Sequence, residues 1–371
     1  MGNPIKVCHF TSVHPWNDIR IFQKQCISLA NNGFEVFLVA PDAKDGIHNN
    51  VNVIGVKSQK KGRLYRFFKF RKKIYKKALE INADIYHFHD PELLPFAKKL
   101  QRKGKKVIYD SHEDVPMQIL SKPWIKPFVL RKLISFFYNL YEKRTCRKIS
   151  GIVSVLDSIT EKFANDKRIT IFNYPKIESQ DENLISDIVL PEKFLIVYNG
   201  GLTKIRGIDN IVASMNFLSD EYRLLLMGRW ESDLFEKYCM GLQGWEKVEY
   251  LGMLNFNTCY SILKKSDIGI VMFKSVPNNI NSLPNKAFEF ISVSLPMIMS
   301  NFPLWKQEFG NYAHFVDPEN PEELARKISE IKNNYVEEKP RVEAESKKIM
   351  LSKTWLSQEK KLVDFYNKIL K

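Results

Sequence analysis

Short apolar runs alternate with longer amphipathic segments along almost the whole chain, and the series occurs twice. In the first half the apolar runs predict strands at Ile5–Phe10, Glu35–Ala40, Val51–Val56, Ile85–Phe88, Lys106–Tyr109 and Ile152–Val155. The segments between them have helical periodicity, at about Ile21–Asn31, Leu64–Leu79, Leu93–Gln101 and Phe128–Arg147. Continuous apolar strands that alternate with helices indicate a parallel sheet covered on both faces.

The alternation restarts after a polar, acidic segment flanked by Pro175 and Pro191. Strands are predicted at Phe194–Tyr198, Arg223–Met227, Val248–Tyr250, Ile268–Phe273 and Met297–Ser300. Helices are predicted at Ile208–Phe217, Asp233–Met240, Cys259–Lys264, Lys286–Val293, Glu322–Asn333 and about Ser357–Leu370. At about 150 residues per domain, the 371 residues suit roughly two domains.

We therefore predict an α/β fold of two doubly wound, Rossmann-like domains that face a central cleft. The domains span residues 1–176 and 194–350, with a linker over 177–193 and a last helix within 351–371. Ligands of such folds bind beyond the carboxyl ends of the strands, so the residues that follow each strand are the candidates for chemistry.

The five cysteines are widely spaced and form no CxxC pair, which favours a reducing cytoplasm over a disulfide or zinc framework. No apolar run approaches the about 18 residues of a membrane span. The first strand begins at Ile5 without the apolar region of a signal peptide. We expect a cytoplasmic protein that is soluble or peripheral to a membrane.

Two neighbouring strands of the first half end in histidine followed by carboxylates. The fourth predicted strand leads into His87-Phe88-His89-Asp90 and the fifth into Asp110-Ser111-His112-Glu113. Polar loops on a rigid sheet edge often carry sites, although Asp and Ser also cap helices without further function. The chain has no HExxH and no DxD motif, so we expect no dedicated metal site.

The second half offers two candidate sites for an anion. Its first strand leads into Asn199–Gly207, where a glycine turn and two cations precede a helix N-terminus that suits a phosphate. Further on, the segment Val276–Ile291 contains Lys286 and Glu289 near its end, on a predicted helix. The carboxylate of Glu289 can accept hydrogen bonds from both hydroxyls of a ribose. A plain turn and a surface helix are the alternatives, but an unpaired Glu289 between two phenylalanines would be costly.

Together these segments resemble the retaining glycosyltransferases of family 4, which have the GT-B fold. The opening TSVHPWNDIRIFQKQCISLANNGFEVFLVA resembles members that assemble bacterial polysaccharides. The motifs HFHDPELLP, YDSHED, YNGGLTKIRG, SDIGIVMF and LPNKAFEF then follow in the family's order. The resemblance implies a last helix that crosses back to the first domain, and transfer of a hexose-type sugar from a UDP- or GDP-linked donor without metal or other cofactor.

The resemblance also implies three groups of site residues. The catalytic residues are His112, Arg206 and Lys204. The donor-binding residues are Gly200, Gly201, Lys204, Arg206, Asn281, Ser282, Leu283, Pro284, Asn285, Lys286 and Glu289. The acceptor-binding residues are His14, Asp18, His89, Asp90 and Glu113. Two positions depart from the family pattern, because Gly201 stands where an arginine is usual and Asn281 where the first glutamate of E-x7-E is usual.

The net charge of +15 arises in the first half of the chain. Residues 1–176 carry 33 Lys and Arg against 15 Asp and Glu, with aromatic-basic segments at Lys57–Lys77 and Lys122–Lys148. Their apolar side chains either pack on the sheet or, with the cations, contact anionic lipid at the inner face of the plasma membrane. The second possibility suits a lipid-linked glycan acceptor.

Two other functions remain open at this stage. A basic surface with aromatic residues also suits a nucleic acid, but the chain has no RNP, KH or zinc motif and we expect no nucleic-acid partner. A nucleotide-sugar 2-epimerase would have the same fold and would convert its substrate without an acceptor. The donor sugar, the acceptor, the linkage and the oligomeric state are not specified by the sequence.

Overall fold

The structure is a computed structural model that describes residues 4–59, 62–122, 125–176 and 189–371. The chain divides into two compact units, which are Met1–Lys176 together with Trp355–Lys371, and Ile177–Thr354. Most of the linker predicted over 177–193 lies outside the described residues, as do positions 60–61 and 123–124 of the two aromatic-basic segments.

Unit 1 is built on alternating strands and helices. Its strands are β1 (Lys6–Phe10), β2 (Glu35–Pro41), β3 (Gly46–His48), β4 (Val51–Val56), β5 (Ile85–Phe88), β6 (Lys106–Ser111), β7 (Gly151–Ser154) and β8 (Arg168–Thr170). Its first helices are α1 (Ile27–Asn31), α2 (Gly62–Tyr65), α3 (Arg71–Glu80), α4 (Leu94–Gln101), α5 (Val115–Leu120), α6 (Phe128–Cys146) and α7 (Asp157–Thr160). Two π-helical segments, Ile19–Cys26 and Arg66–Phe70, precede α1 and α3.

The sheet of unit 1 has the order β3-β4-β2-β1-β5-β6-β7-β8 and is parallel except for β3. Strand β1 pairs with β2 on one side and β5 on the other, with Val7 opposite Val36 and Ile85. The strand order reverses at this point, and in doubly wound sheets the crevice at the carboxyl ends of such strands binds ligands.

Unit 2 repeats the arrangement with six strands. They are β9 (Phe194–Asn199), β10 (Tyr222–Met227), β11 (Val248–Gly252), β12 (Ile268–Val271), β13 (Met297–Ser300) and β14 (His314–Val316). The helices are α8 (Ile208–Ser214), α9 (Asp233–Met240), α10 (Phe256–Lys265), α11 (Pro277–Ile280), α12 (Asn285–Ser292), α13 (Pro303–Phe309), α14 (Pro321–Asn333) and α15 (Tyr335–Ser352). The parallel order β11-β10-β9-β12-β13-β14 reverses between β9 and β12.

The last helix, α16 (Trp355–Leu370), packs on the sheet of unit 1. Its side chains Trp355, Phe365 and Ile369 join the core formed by β1 and its neighbours. A Cβ atom at Gly151 in β7 would lie 2.5 Å from Ile369 Cδ1 and 2.7 Å from Phe365 Cζ. A side chain at position 151 would force these two buried side chains of α16 to move, so glycine permits this close packing.

Some elements were not predicted from the sequence. Strands β3, β8 and β14 have three residues each, which is too short for an alternation of apolar and polar residues to emerge. Helix α15 was missed because Pro340 lies inside it and eight of its 18 residues are charged, with Val342 as its one buried apolar side chain. Tertiary packing rather than local pattern maintains this helix.

The aromatic-basic segments fit only in part the interpretation in which their apolar faces cover the sheet. Phe70, Ile74 and Tyr75 of the first segment are buried, as are Ala78 just beyond it and Cys146 of the second segment. Other apolar side chains of the two segments are exposed, namely Leu64, Phe67, Phe68, Phe128, Leu133, Phe136, Phe137 and Tyr141. In the described part of the chain, none of the helices has both the length and the apolarity needed to cross a membrane.

Replacement of Trp355 tests the docking of α16 on unit 1. The indole is 1% exposed and its Nε1–H donates to Ser28 Oγ at 2.8 Å. Trp355→Ala should lower the free energy of unfolding by about 3–5 kcal/mol, because it removes a large buried side chain and leaves a cavity. Chemical denaturation measures this loss.

The neighbouring Leu356 supplies the control because its side chain is 76% exposed. Leu356→Ala should change the free energy of unfolding by less than about 0.5 kcal/mol. Equal effects of the two replacements would contradict the packing of α16 on the sheet.

Candidate functional site

The carboxyl ends of β1 and β5 bring together a set of polar side chains in unit 1. Asp90 follows β5 and is buried; its Oδ2 accepts hydrogen bonds from Thr11 Oγ1 at 2.8 Å and from the Ser12 backbone N–H at 2.5 Å. Ser12 Oγ in turn donates to Glu92 Oε1 at 2.8 Å. These bonds join the loops after the two strands at the point where the strand order reverses.

Four histidines and one tyrosine form a continuous series of close contacts at the same edge. His112 Nε2 lies 3.2 Å from His89 Nδ1, and His89 Nε2 lies 2.9 Å from His9 Nδ1. Tyr366 Oη of α16 lies 3.2 Å from His9 Nε2 and 2.6 Å from His87 Nδ1. All of these residues except His112 are fully or almost fully buried.

The carboxylate of Asp110, at the end of β6, lies beside this series. Arg20 donates to it twice, from Nε to Oδ2 at 3.1 Å and from Nη2 to Oδ1 at 3.0 Å, and Gln25 Nε2 donates to Oδ2 at 2.6 Å. His112 Nε2 and His89 Nδ1 lie 3.2 and 3.4 Å from the same oxygen. Asp110 is thus the centre of a buried polar network.

The charges of this network follow from burial and from Arg20. Burial alone would raise the pKa of Asp110, but the Arg20 guanidinium, with His112 and the hydrogen bonds to the carboxylate, holds that pKa well below its usual range. Burial lowers the pKa of His9 and of His87 well below the usual value, and lowers the pKa of His89 to about 3. Asp110 is therefore ionised and the three buried imidazoles are neutral near pH 7.

His14 is the more exposed member of the site. Its ring is 5.1 Å from that of His112, its Nε2 is 3.5 Å from Asp90 Oδ1, and its Nδ1 is 3.6 Å from Asp18 Oδ2. Burial opposes the charged imidazolium, but the hydrogen bond to Asp18 and the charge of Asp90 raise the pKa of His14 above its usual value. Burial alone would raise the pKa of Asp18. The hydrogen bonds that its carboxylate accepts from His14 and from the Ile21 backbone N–H outweigh this effect and lower the pKa to about 2.

The structure therefore brings together His14, Asp18, His89, Asp90 and His112 of the predicted residues. Glu113 is exposed and its carboxylate accepts a hydrogen bond from Gln118. Sequence reasoning missed His9, Arg20, Gln25, Asp110 and Tyr366 as members of this network. Asp110 stands within the quoted motif YDSHED, whereas nothing in the local sequence marks Tyr366.

Two groups of side chains bring possible metal ligands within 4.8 Å of one another, His9 with His87 and His89, and His89 with Asp110 and His112. In the first group the rings of His9 and His89 are nearly parallel, at 18°, and their facing nitrogens are 2.9 Å apart. Tetrahedral bonds of 2.0–2.1 Å to zinc would separate two ligand nitrogens by roughly 3.3 Å. The His9–His89 contact fits a direct hydrogen bond better than a shared ion.

In unit 2 the turn after β9 adopts a backbone that favours glycine. Gly200 has φ of 126° and Gly207, just before α8, has φ of 66°. A Cβ atom at Gly207 would lie 2.7 Å from the carbonyl oxygen of Met272, which follows β12. The loops after β9 and β12 thus approach each other where the strand order of this sheet reverses.

Two cations converge on Gly200. A Cβ atom there would lie 3.2 Å from both Arg206 Nη1 and Lys286 Nζ. Lys286 Nζ donates to the carbonyl oxygen of Asn199 at 2.6 Å and lies 3.5 Å above the ring of Tyr198. Burial, followed by repulsion from Arg206, lowers the pKa of Lys286 well below its usual value, while Glu289 opposes the shift. An anion bound here would stabilise the charged amine.

Glu289 lies close to these cations and is oriented by Asn199, whose Nδ2 donates to Glu289 Oε2 at 2.7 Å. Within the described residues, the buried atoms Asn199 Oδ1 and Thr203 Oγ1 have no hydrogen-bond partner. Polar atoms buried without a partner are uncommon and costly, so a ligand with hydrogen-bonding groups would stabilise this loop.

The other predicted donor-binding residues lie on the same side of unit 2. Lys204 is exposed, with its backbone N–H donating to Glu231 Oε1 at 3.3 Å, so the cation beside Arg206 is Lys286. Asn281 is also exposed and ends α11, whereas the carbonyl oxygen of Ser282 accepts from Trp305 Nε1 at 2.6 Å. Leu283 and Pro284 lead into α12, which begins at Asn285, and Gly201 follows Gly200 in the turn after β9.

Two family models match the chain. The model described as Glycosyltransferase Family 4 matches residues 23–171, and the model described as Glycosyl transferases group 1 matches residues 180–349. The O-antigen chain mannosyltransferase RfbU of Salmonella typhimurium is 23% identical over 278 residues, which cover 69% of this chain and 75% of that protein.

Solved structures of the same fold cover nearly the entire chain. Sucrose-phosphate synthase from Thermosynechococcus elongatus has a TM-score of 0.74 at 13% identity and covers 99% of both chains. Anabaena HepE in complex with UDP has a TM-score of 0.72 at 12% identity, covering 98% of this chain and 100% of that one. At this identity the likeness shows a shared fold, the GT-B fold of two parallel-sheet α/β domains.

The pair of His14 and Asp18 predicts a pH dependence. Because the pKa of His14 is raised, its contribution to the free energy of unfolding is complete below pH 6.5, the usual pKa of histidine, and is lost as the pH rises through the folded-state pKa. Because the pKa of Asp18 is lowered, its contribution is complete above pH 3.8, the usual pKa of aspartate, and is lost as the pH falls toward 2. Asp18→Asn keeps the helix cap but removes the charge, so it should lower the pKa of His14.

An NMR titration of the His14 ring measures this change. His314, which pairs with Glu338 in unit 2, serves as the internal control, and its ring signals should be the same in both proteins. An unchanged His14 titration in Asp18→Asn would refute the pairing.

Proposed function

This chain belongs to glycosyltransferase family 4, and from that premise we propose that it transfers a hexose-type sugar from a nucleotide-diphosphate sugar, with retention of configuration. The acceptor is a hydroxyl of a glycan that is linked to a lipid. The reaction uses no metal and serves the assembly of a capsule, an O-antigen or an exopolysaccharide. The RfbU relative, named as an O-antigen mannosyltransferase, and the UDP bound in HepE support this assignment.

The convergence of Arg206 and Lys286 over Gly200 is the observation that carries the proposal. Two cations and a glycine turn before α8 suit the diphosphate of the donor. Breaking the bond to the anomeric carbon leaves negative charge on that diphosphate. Fixed positive groups that are already in position stabilise this charge in the transition state, which is usually the largest contribution to catalysis.

Glu289 is proposed to accept the two hydroxyls of the donor ribose. Its half-buried carboxylate is held by Asn199, so its orientation is set before the nucleotide arrives. The loop Asn281–Asn285 is proposed to line the sugar. Because Asn281 replaces the glutamate that is usual in the family, an amide rather than a carboxylate would face the sugar there.

The acceptor is proposed to bind at the site of unit 1, where His14 and His112 are the partly exposed groups beside Asp18 and Asp90. Attack of the acceptor hydroxyl on the same face as the leaving group retains the configuration. The leaving phosphate then takes the proton of the hydroxyl, and exclusion of water limits hydrolysis of the donor.

The exposed apolar side chains of α6 are proposed to contact the inner face of the plasma membrane. Phe136 and Phe137 are 63% and 62% exposed, and Arg131, Lys132, Lys143 and Arg144 lie on the same helix. Each near-surface cation contributes about 1 kcal/mol on an anionic membrane, and a buried Phe contributes about 1.5–3 kcal/mol. Such contact would place the enzyme where a lipid-linked acceptor resides.

Arg206→Ala tests the diphosphate assignment. Loss of one preorganised cation should reduce the rate of sugar transfer by a hundredfold or more, by analogy with the loss of a single oxyanion-hole donor. The rate is measured with a panel of UDP- and GDP-sugars and a membrane extract as the source of acceptor.

The matched control is Arg326→Ala, which removes an exposed arginine of α14 that pairs with Glu330 on the same helix. This variant should transfer sugar as wild type does. Turnover of Arg206→Ala at the wild-type rate would refute the site. Conversion of the nucleotide sugar with no acceptor present would instead identify a 2-epimerase.

Phe136→Ser with Phe137→Ser tests the membrane contact. This double variant should partition at least tenfold less onto vesicles of phosphatidylethanolamine and phosphatidylglycerol, because two apolar anchors are lost. Flotation of the vesicles measures the bound fraction, and vesicles of phosphatidylcholine alone should bind less of the wild type.

The control variant replaces Leu234 and Val336, two exposed apolar residues of unit 2, by serine. It should float like the wild type. Equal flotation of all three proteins would contradict the role of α6, and a gel shift with RNA in the absence of flotation would favour the nucleic-acid alternative.

A further inference from the structure

Three buried polar groups of unit 1 have no part in the proposed reaction, namely His9, His87 and Tyr366. They lie in three different elements, β1, β5 and α16, and are connected to the site through His89. Polar side chains in a core are costly unless their hydrogen bonds are satisfied as a set. Each contact of the series therefore needs one donor and one acceptor.

Each neutral imidazole has one N–H and one nitrogen lone pair, and a phenol has one O–H. His9, His87 and His89 are neutral because burial lowers the pKa of each. Each of the three contacts that join His89, His9, Tyr366 and His87 then needs one proton, so the position of the proton on His89 fixes the direction of all three.

Asp110 determines that direction at one end. Its carboxylate is ionised through Arg20, and its Oδ2 lies 3.4 Å from His89 Nδ1. A lone pair on His89 Nδ1 would face this negative charge, so Nδ1 carries the proton. His89 Nε2 then accepts from His9 Nδ1–H, His9 Nε2 accepts from the Tyr366 hydroxyl, and the Tyr366 oxygen accepts from His87 Nδ1–H.

The other end of the series agrees with this direction. Among the described residues, His87 Nε2 is a buried atom without a hydrogen-bond partner. In the direction set by Asp110 this nitrogen has only a lone pair, whereas the reverse direction would leave an unpaired N–H in the core. Buried N–H groups without an acceptor are rarer than buried acceptors without a donor.

We propose that Tyr366 is a positioning residue for His112, acting through a one-directional chain of hydrogen bonds from His87 to Tyr366, His9 and His89. The chain keeps His89 in the form protonated on Nδ1, next to Asp110 and His112. It thereby couples the docking of α16 to the orientation of His112. Tyr366 itself contacts no substrate, and its kinetic role rests on the proposed glycosyl transfer.

The first test is a spectroscopic one that needs no substrate. With histidine-selective ¹⁵N labelling, the seven histidine rings can be assigned through single His→Gln variants. The chain requires His9, His87 and His89 to be protonated on Nδ1, with Nε2 unprotonated. Protonation of any of the three on Nε2 in the wild type would overturn the proposal.

Tyr366→Phe removes the hydroxyl and keeps the ring that packs on Phe34 and His9. His87 then loses the acceptor of its Nδ1–H, and its ring signals should change, as should those of His9. The matched control is Tyr312→Phe, because that buried hydroxyl of unit 2 donates to the carbonyl oxygen of Leu295 at 2.9 Å. This control should leave all histidine signals of unit 1 unchanged.

The kinetic arm separates positioning from a merely structural role. Tyr366→Phe should lower kcat by ten- to a hundredfold, as the loss of other outer hydrogen bonds to a site does, and leave the KM for the nucleotide sugar unchanged. A wild-type kcat in Tyr366→Phe would refute the coupling to His112. If the wild type shows no transfer at all, the glycosyltransfer proposal fails while the ring signals still decide the hydrogen-bond chain.

Addition of one equivalent of Zn²⁺ distinguishes the chain from a metal site. The hydrogen-bonded chain predicts unchanged ring signals for His9, His87 and His89. A joint shift of these three signals on addition of zinc would show that they bind the ion, and would overturn the proposal.

Discussion

The buried ion pair of Arg20 and Asp110 is the interaction on which the polar edge of unit 1 depends. A carboxylate in a core is costly, and here two guanidinium bonds and one amide bond compensate for the lost water. The charge that results gives His89 and His112 a common acceptor and sets the protons of the neighbouring imidazoles. Removing one partner of such a pair typically costs about 3–5 kcal/mol, because the other charge stays buried. The pair thus orients the candidate site of unit 1, and unit 1 is destabilised when either partner is removed.

Unit 2 presents the opposite electrostatic situation at the equivalent point of its sheet. Arg206 and Lys286 approach each other over Gly200, and the pKa of Lys286 is depressed because burial and the arginine disfavour its charge. A diphosphate would offset this repulsion, so it would favour the charged form of the lysine and raise its pKa. Unit 1 is built around an internal anion that is already paired, whereas unit 2 holds cations that a ligand would pair. This contrast supports assigning the donor to unit 2 and the hydroxyl acceptor to unit 1.

Much of this arrangement could be predicted from the sequence, because it follows from local patterns. Continuous apolar strands indicated parallel sheets, and the polar residues after those strands had to meet at one edge, as His14, His89 and His112 do. Contacts between distant segments could not be predicted in this way. Tyr366 reaches His87 across 279 positions, and Lys286, rather than the neighbouring Lys204, accompanies Arg206. The exposure of Phe136 and Phe137 could not be predicted either, because an amphipathic pattern identifies an apolar face without showing what covers it.

The central claim is that a nucleotide diphosphate occupies the space beside Gly200, between the cations of Arg206 and Lys286. Calorimetric titration of UDP and GDP into the wild type and into Gly200→Ala tests it most directly. A Cβ atom at this position lies 3.2 Å from both cationic nitrogens, so it should displace them and fill part of the phosphate site. We predict that the wild type binds one of the two nucleotides and that Gly200→Ala, shown to be folded by circular dichroism, binds it at least tenfold more weakly. Equal affinity of the two proteins, or no binding of either nucleotide to the wild type at millimolar concentration, would contradict the account.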